Sequence, residues 1–223
     1  MQLYLDCPCT SFPRSFARDF KETYRYPPPS TVYGMLLSLV GEVNLLAHGG
    51  VKVAIGMIGN DAPISRIVRK QRHHKFGTKH LGTYPSSQFS KPNHHELLTD
   101  LRFVVQIDSS DETSTVKLAD RIAIVLSAPE QITRFGGLSL GESWAMLNGV
   151  RVYRESDGVV RWLTQYKRGL IGLPIWINRE TTQGTFARFS FSSEFTDDCW
   201  VKIETPTEPP KPVKAKSTRK TKS

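Results

Sequence analysis

No run of apolar residues in this chain approaches the ~20 that a bilayer crossing requires, so a transmembrane helix is excluded. Cysteine is scarce. There are 3 in 223 residues, and Cys7 and Cys9 sit too close together to bridge comfortably, so buried thiols in a reducing compartment are expected instead of a disulfide framework. The opening M-Q-L-Y-L-D-C-P-C carries no basic stretch followed by an apolar run and a small-residue cleavage site. No secretory signal is expected there, and the location reads as cytosolic. No G-K-S/T follows the glycine-rich stretch, which excludes a nucleotide-hydrolysing P-loop, and there is no G-x-S-x-G elbow. The paired histidines and C-x-C do not reproduce the spacing of structural zinc domains. What is present is ordinary globular material: 39% hydrophobic and 10% aromatic residues in 25.2 kDa, enough to bury a core.

The uneven feature is charge. The chain carries a formal +9, yet two segments hold more than all of it. Between Arg66 and His95 there are seven basic residues (Arg66, Arg69, Lys70, Arg72, Lys75, Lys79, Lys91), five histidines and no carboxylate. From Thr205 to Ser223 there are six cations against Glu208, so the rest of the chain is left at −3. Such concentration is the footprint of phosphate binding, with counterion release as the driving force. The tail has too few large apolar residues to offset its ordering entropy and reads as disordered, serving equally as a solubilising tail or a nonspecific nucleic-acid arm. In the internal segment Phe76, Tyr84 and Phe89 stand among the cations, a mixture suited to a nucleic-acid backbone with splayed bases. A solvated basic loop is the alternative.

Periodicity predicts the body. Residues 2–7 alternate, with Leu3, Leu5 and Cys7 on one face of a strand. After Pro27, Pro28 and Pro29, Ser30 reads as an N-cap, and Val32, Met35, Leu36, Leu39, Val40 and Val43 recur at helical spacing over about fourteen residues. Val51, Val53, Ile55 and Met57 mark a second strand, Leu101, Phe103, Val105 and Ile107 a third, and Leu118, Ile122 and Val125 a helix over 115–127. A loop F-G-G-L-S-L-G-E-S then leads to a strand near 144–154, Asp157-Gly158 predicts a hairpin back to 159–164, and strands follow at 171–177 and 186–191. The order strand, helix, strand, strand, helix, strand is a split β-α-β: an α+β, ferredoxin-like (RRM-like) fold with an antiparallel sheet and additional C-terminal β strands from about 150 to 204. No strand carries the aromatic signature of an RNA-recognition motif, so RNA, if bound, is expected at loops and edges.

The segments C-P-C-T-S-F-P-R-S-F at 7–16, Y-P-P-P-S-T-V-Y-G-M-L-L-S-L-V-G-E at 26–42 and F-G-G-L-S-L-G-E-S at 135–143 resemble CRISPR-associated protein family five, closest to its subtype B or Myxococcus-like branch. This is the RAMP-superfamily subunit of type I Cascade surveillance complexes. The resemblance implies a RAMP domain over 1–204 with a basic β-hairpin thumb inserted at about 66–98, followed by the basic tail 205–223. It further implies a non-catalytic prokaryotic cytoplasmic protein that caps the 5′ handle of the guide RNA (crRNA), packs against the Cascade backbone subunit and large subunit, and meets target DNA indirectly through the complex. No cofactor, metal or membrane is implied.

On that reading Arg14 and Arg18, in the loop after the first strand, can fork onto phosphates, and Ser30 and Thr31 open a helix whose free N–H groups make an anion site. Gly136 and Gly137 let a backbone approach a phosphate, and Tyr24, Tyr26 and Tyr33 are candidates to stack on handle bases, with Tyr33 equally suited to core packing. Arg69, Lys70, Arg72, His73, His74, Lys75 and Lys79 form the RNA-facing part of the thumb. The rival reading is a metal-independent endoribonuclease processing precursor crRNA, because one type I subtype uses its family-five protein so. His73, His74, His80, His94 and His95 would then supply acid and base, with Tyr33 and Lys70 or Lys75 assisting. A generic RNA-binding module is a further alternative.

Overall fold

The computed structural model describes residues 1–14, 20–72, 90–134, 136–178, 181 and 183–204, with backbone alone at Gln71, Arg72, Ser90 and Lys91. Strand β1, Gln2–Thr10, turns Leu3, Leu5 and Cys7 fully inward, as their alternation demands. It pairs antiparallel with β5, Ser90–Asp108, whose Leu101, Phe103, Val105 and Ile107 continue the same inner face. Between the Cys7↔Leu101 and Cys9↔Thr99 pairs lies Asp100, at φ 54, a left-handed position that aspartate tolerates. β5 also pairs antiparallel with β3, Lys52–Ile58, which is buried on both faces, Val53, Ile55 and Met57 on one and Ala54 and Ile58 on the other.

Helix α1, Pro29–Leu39, starts one residue before the expected cap. Pro28 occupies the cap position and Pro29 the first helical position, where a missing N–H is no loss. Ser30 is therefore inside the first turn, and its hydroxyl donates to Pro174 O at 3.0 Å. The helix also stops sooner than its apolar spacing suggests. Gly41, at φ 70, turns the chain out in the left-handed conformation that ends helices, and Val43 is 93% exposed. Helix α2, Leu118–Ser127, buries Leu118, Ile122 and Val125 as predicted. It begins late because Glu112 reaches across to accept the Leu118 N–H at 3.0 Å.

The expected Asp157-Gly158 hairpin does not form. β6, Gly149–Val152, pairs with β1, whereas β7, Val160–Gln165, pairs with β3 on the far side of β5. The link crosses the sheet, and Tyr153 and Val160 pack on its outer face against Ala54, Val104, Ile58 and Trp162. Burying that outer layer outweighs the local turn preference, and Asp157 is held instead by a bidentate Arg151 at 2.6 and 2.7 Å. β8, Ile171–Ile177, and β9, Gly184–Ser192, complete the sheet, in the order β6-β1-β5-β3-β7-β9-β8. Three strands stand off that path: β2, Phe20–Lys21, and β4, Ile64–Arg72, pair with β5, and β10, Val201–Lys202, with β3. The result is an α+β protein with a mostly antiparallel sheet; α1 and α2 lie over one face, where the main core forms.

Candidate nucleic-acid interface

β5 is long because only its second half belongs to the central sheet. Its first half, Ser90 to Leu98, forms a two-stranded antiparallel hairpin with β4, in register from Ile64↔Leu98 to Arg72↔Ser90. β2 joins the other side of that half in parallel, through Phe20↔His94 and Lys21↔His95. Alternation sorts the side chains. Arg66, Val68, Lys70, Glu96 and His94 share one face, and Ile67, Arg69, His95 and Asn93 the other. On the first face Arg66 is engaged, its Nε donating to Glu96 Oε1 at 3.3 Å and its guanidinium 5.9 Å from the Phe20 ring. Arg69 and Lys70 are exposed, and neither has an acidic partner among the described residues. His95 is 4% exposed. Burial, then Lys21, then Arg69 push its pKa below the usual histidine value, so it is neutral near pH 7 beside two cations.

The predicted thumb residues Arg69 and Lys70 project from opposite faces of this ribbon, and Lys21, whose two-residue strand leaves no periodic signal in the sequence, joins Arg69 on the face that carries His95. The backbone of Arg72 continues β4. Arg18, His73, His74, Lys75 and Lys79, with His80 and the whole tail, lie outside the described residues.

The other predicted contacts gather around α1, in three different environments. Ser30 and Thr31 line a groove of about 410 Å³ with Gly34, Ser38, Ser139, Gly141 and Trp176. The expected array of free helix N–H groups is absent there: Pro29 has none, and those of Thr31 and Val32 are taken by Pro28 O at 2.9 and 3.0 Å. Gly34 was not singled out, although glycine inside an apolar helical pattern is itself a signal of close approach or function. The second environment is the glycine loop. Gly136 is exposed at φ 77, as a backbone-presenting turn requires, and Gly137 beside it is exposed too, with only the end of the flexible Met146 side chain over the place a Cβ would take. Gly141, at φ 85 against Ser11 O, fixes the loop to the end of β1, helped by Thr10 Oγ1 donating to Leu140 O at 2.5 Å.

The tyrosines form the third, and here the structure corrects the stacking expectation. Tyr33 is 1% exposed, donates to Leu45 O at 2.9 Å, and is pushed by burial up to about 12. Tyr26 is buried edge-on against Phe191 and donates to Asp61 at 2.8 Å. Tyr24 is buried under Arg14, whose guanidinium lies 5.5 Å from its ring and 3.4 Å from Glu22. These rings are core, because aromatic area next to the Pro27–Pro29 turn is worth more buried than exposed. Arg14 is thereby already partnered.

The same holds over much of the body. Arg102 forks onto Asp100, Arg121 onto Glu42 and the Val40 carbonyl, Arg151 onto Asp157, and Arg161 onto Asp61. Paired guanidiniums attract phosphate weakly, so the body's charge is largely cancelled while that of the hairpin is not. Among the described residues no three metal-ligating side chains cluster, and no helix is long and apolar enough to cross a membrane.

No family profile matches the chain. It is 35% identical over 188 residues to the CRISPR-associated protein Cas5 of Myxococcus xanthus (strain DK1622), an alignment spanning 82% of this chain and 85% of that protein. Among solved structures, a chain of a "CRISPR RNA-guided surveillance complex" superposes with a TM-score of 0.56 at 17% identity, over 86% of this chain and 89% of that one. A "Cas protein" crystal structure gives a TM-score of 0.49 at 12% identity, over 86% of this chain and 93% of that one. The first superposition shows a shared fold, and with the extent and identity of the Myxococcus match the chain belongs to the CRISPR-associated Cas5 family.

Proposed function

We propose that this chain is a non-catalytic RNA-binding subunit of a type I CRISPR surveillance complex, capping the 5′ handle of the guide RNA and packing against the backbone and large subunits. On this reading residues 1–204 are a ferredoxin-like RAMP domain and the β4–β5 hairpin is its thumb. The neighbour order β6-β1-β5-β3, visited by the chain as β1, α1, β3, β5, α2, β6, supports the ferredoxin-like reading. The observation that carries the RNA reading is the hairpin itself: Arg69 and Lys70, exposed and without an acidic partner among the described residues, within a stretch free of carboxylates from Arg66 to His95. On the face that carries His95, Arg69 and Lys21 together offer two cations to a single-stranded backbone, while Lys70 offers one from the opposite face of the ribbon. Support for a binding rather than cleaving role comes from Tyr33, whose hydroxyl is committed to the core, and from His95, which is buried.

The test incubates the protein in EDTA with end-labelled precursor crRNA and reads binding and denaturing gels together. Intact RNA, bound with preference for the 5′ handle, is expected. Arg69→Ala with Lys70→Ala should weaken binding and flatten the salt dependence by about 1.4, at ~0.7 per single-strand phosphate contact. Unchanged affinity and slope would remove the thumb from the interface. A single site-specific cut, abolished by His73→Ala or His74→Ala with binding retained, would make the chain a nuclease.

A further inference from the structure

His48 is 1% exposed and lies where the loop after α1 meets the loop before α2, with both ring nitrogens in contact with ionisable groups. On one side Nδ1 is 2.5 Å from Glu112 Oε1. On the other, Nε2 is 3.0 Å from Arg121 Nη1. Arg121 also donates to Glu42 Oε2 at 2.7 Å and to Val40 O at 2.9 Å, so one guanidinium from α2 closes over the end of α1. None of these four side chains has a part in the RNA reading.

These contacts fix where the protons are. A guanidinium can only donate, so Nε2 must present a lone pair to Arg121, and the single ring proton is on Nδ1, donated to Glu112. Both Glu112 oxygens also accept the Leu118 N–H, at 3.1 and 3.0 Å, so a further proton is taken at Nε2 at less cost than by breaking that cap. A proton there sets N–H against N–H, and Arg121 must give up the ring. The other ionisable groups facing the cluster leave that step open. Burial pushes the Tyr33 hydroxyl up to about 12, so it stays neutral, committed to Leu45 O. The hydrogen bond from Arg121 holds the Glu42 carboxyl below its usual value, so it stays charged. Lys117 Nζ donates to the Glu112 backbone carbonyl, and Asp111 is turned to Lys52 at 2.8 Å.

We propose that His48 is a proton-operated latch: neutral, it holds Arg121 across the end of α1, and protonated at Nε2 it releases Arg121 and with it the loop 41–50. The exits are in place. The Arg121 and Glu42 side chains are 25% and 20% exposed, a route to water for the displaced guanidinium, while Glu112 keeps the charged imidazole as its partner. Little burial retains the loop once Arg121 has gone, since its tip is apolar yet open, with Val43 93% and Leu46 51% exposed. Leu45 and Tyr33 wall the groove beside Ser30 and Thr31, so release of the loop loosens that wall. The latch is a property of the chain alone and needs neither RNA nor a partner.

The test is an NMR titration of the full chain from about pH 7.5 to about pH 5, following the ring-nitrogen shifts of His48 together with amide exchange over residues 41–50. The Nδ1–H tautomer is expected at the upper end. Its conversion to the doubly protonated ring should coincide with at least about tenfold faster exchange in this loop, corrected for intrinsic rates, while amides of the β1–β5 pairing keep their protection. His48→Gln, whose amide donates to Glu112 and accepts from Arg121 at every pH, should abolish the pH dependence. Arg121→Met, which removes the guanidinium altogether, should leave the loop fast-exchanging throughout. An Nε2–H tautomer at the upper end overturns the proposal, as does a ring that stays singly protonated to the lower end. So does ring protonation with no change in loop exchange, or an unaltered pH dependence in His48→Gln.

Discussion

Neighbouring glycines in this chain serve opposite physical ends, and substitution should separate them. Gly141→Ala places a methyl onto Ser11 O at φ 85 and should destabilise by about 1–3 kcal/mol in a denaturant titration. Gly34→Ala meets nothing within 4 Å inside a helix and should stabilise by about 0.8–1 kcal/mol. Charge gives a pH signature. The Arg151 guanidinium beside Asp157 lowers that carboxyl to about 2. A depressed acid contributes stability above its unfolded value of about 4, and the contribution fades as pH falls toward the folded value. Asp157→Asn should therefore flatten the acid limb of a stability profile between about pH 4 and 2. Burial pushes the Cys7 thiol up to about 11, so at pH 8 iodoacetamide should label Cys7 only when the protein is unfolded.

At the scale of elements, legibility followed periodicity. β1, α1, β3 and α2 were readable because each buries a face whose spacing is written in Leu3-Leu5-Cys7, Val32-Leu36-Leu39, Val53-Ile55-Met57 or Leu118-Ile122-Val125. Ends were less readable, because caps are single events: a proline rather than Ser30 opens α1, and Glu112, in the loop before α2, sets where that helix begins by accepting the Leu118 N–H. Ser30 has other work, joining α1 to the edge strand β8 through Pro174 O. Ser30→Ala should lose about 0.5–1.5 kcal/mol in thermal or denaturant unfolding. A basic insert between two strands was readable from its charge and the alternation on either side, and its hairpin form only from the family resemblance. Its pairing register and the company of Lys21 were not, since those depend on β2 docking in parallel beside His94 and His95.

For the whole molecule the controlling fact is that its principal pairings are distant in sequence, Gln2 with Gln106 and Leu3 with Val152. Loop closure must precede such contacts, so refolding is expected on a millisecond-to-second scale, checked by stopped-flow fluorescence of the tryptophans. The same long-range pairing explains why Asp157-Gly158 misled: a local turn signal says nothing about which strand waits on either side. The sequence by itself determined the family, through ordered motifs over the first 150 residues, the alternation of its strands, and the separation of a near-neutral body from a basic insert and tail. Those are properties of neighbouring residues and of composition. Tertiary structure alone decided that Tyr24, Tyr26 and Tyr33 are core, that Arg14, Arg102, Arg151 and Arg161 have carboxylate partners, and that Lys167, Arg168 and Arg188 have none among the described residues. Burial and ion pairing are set by which distant segments the sheet brings within a few ångströms, and free charge, hence the surface left to bind phosphate, is what remains after that pairing is complete.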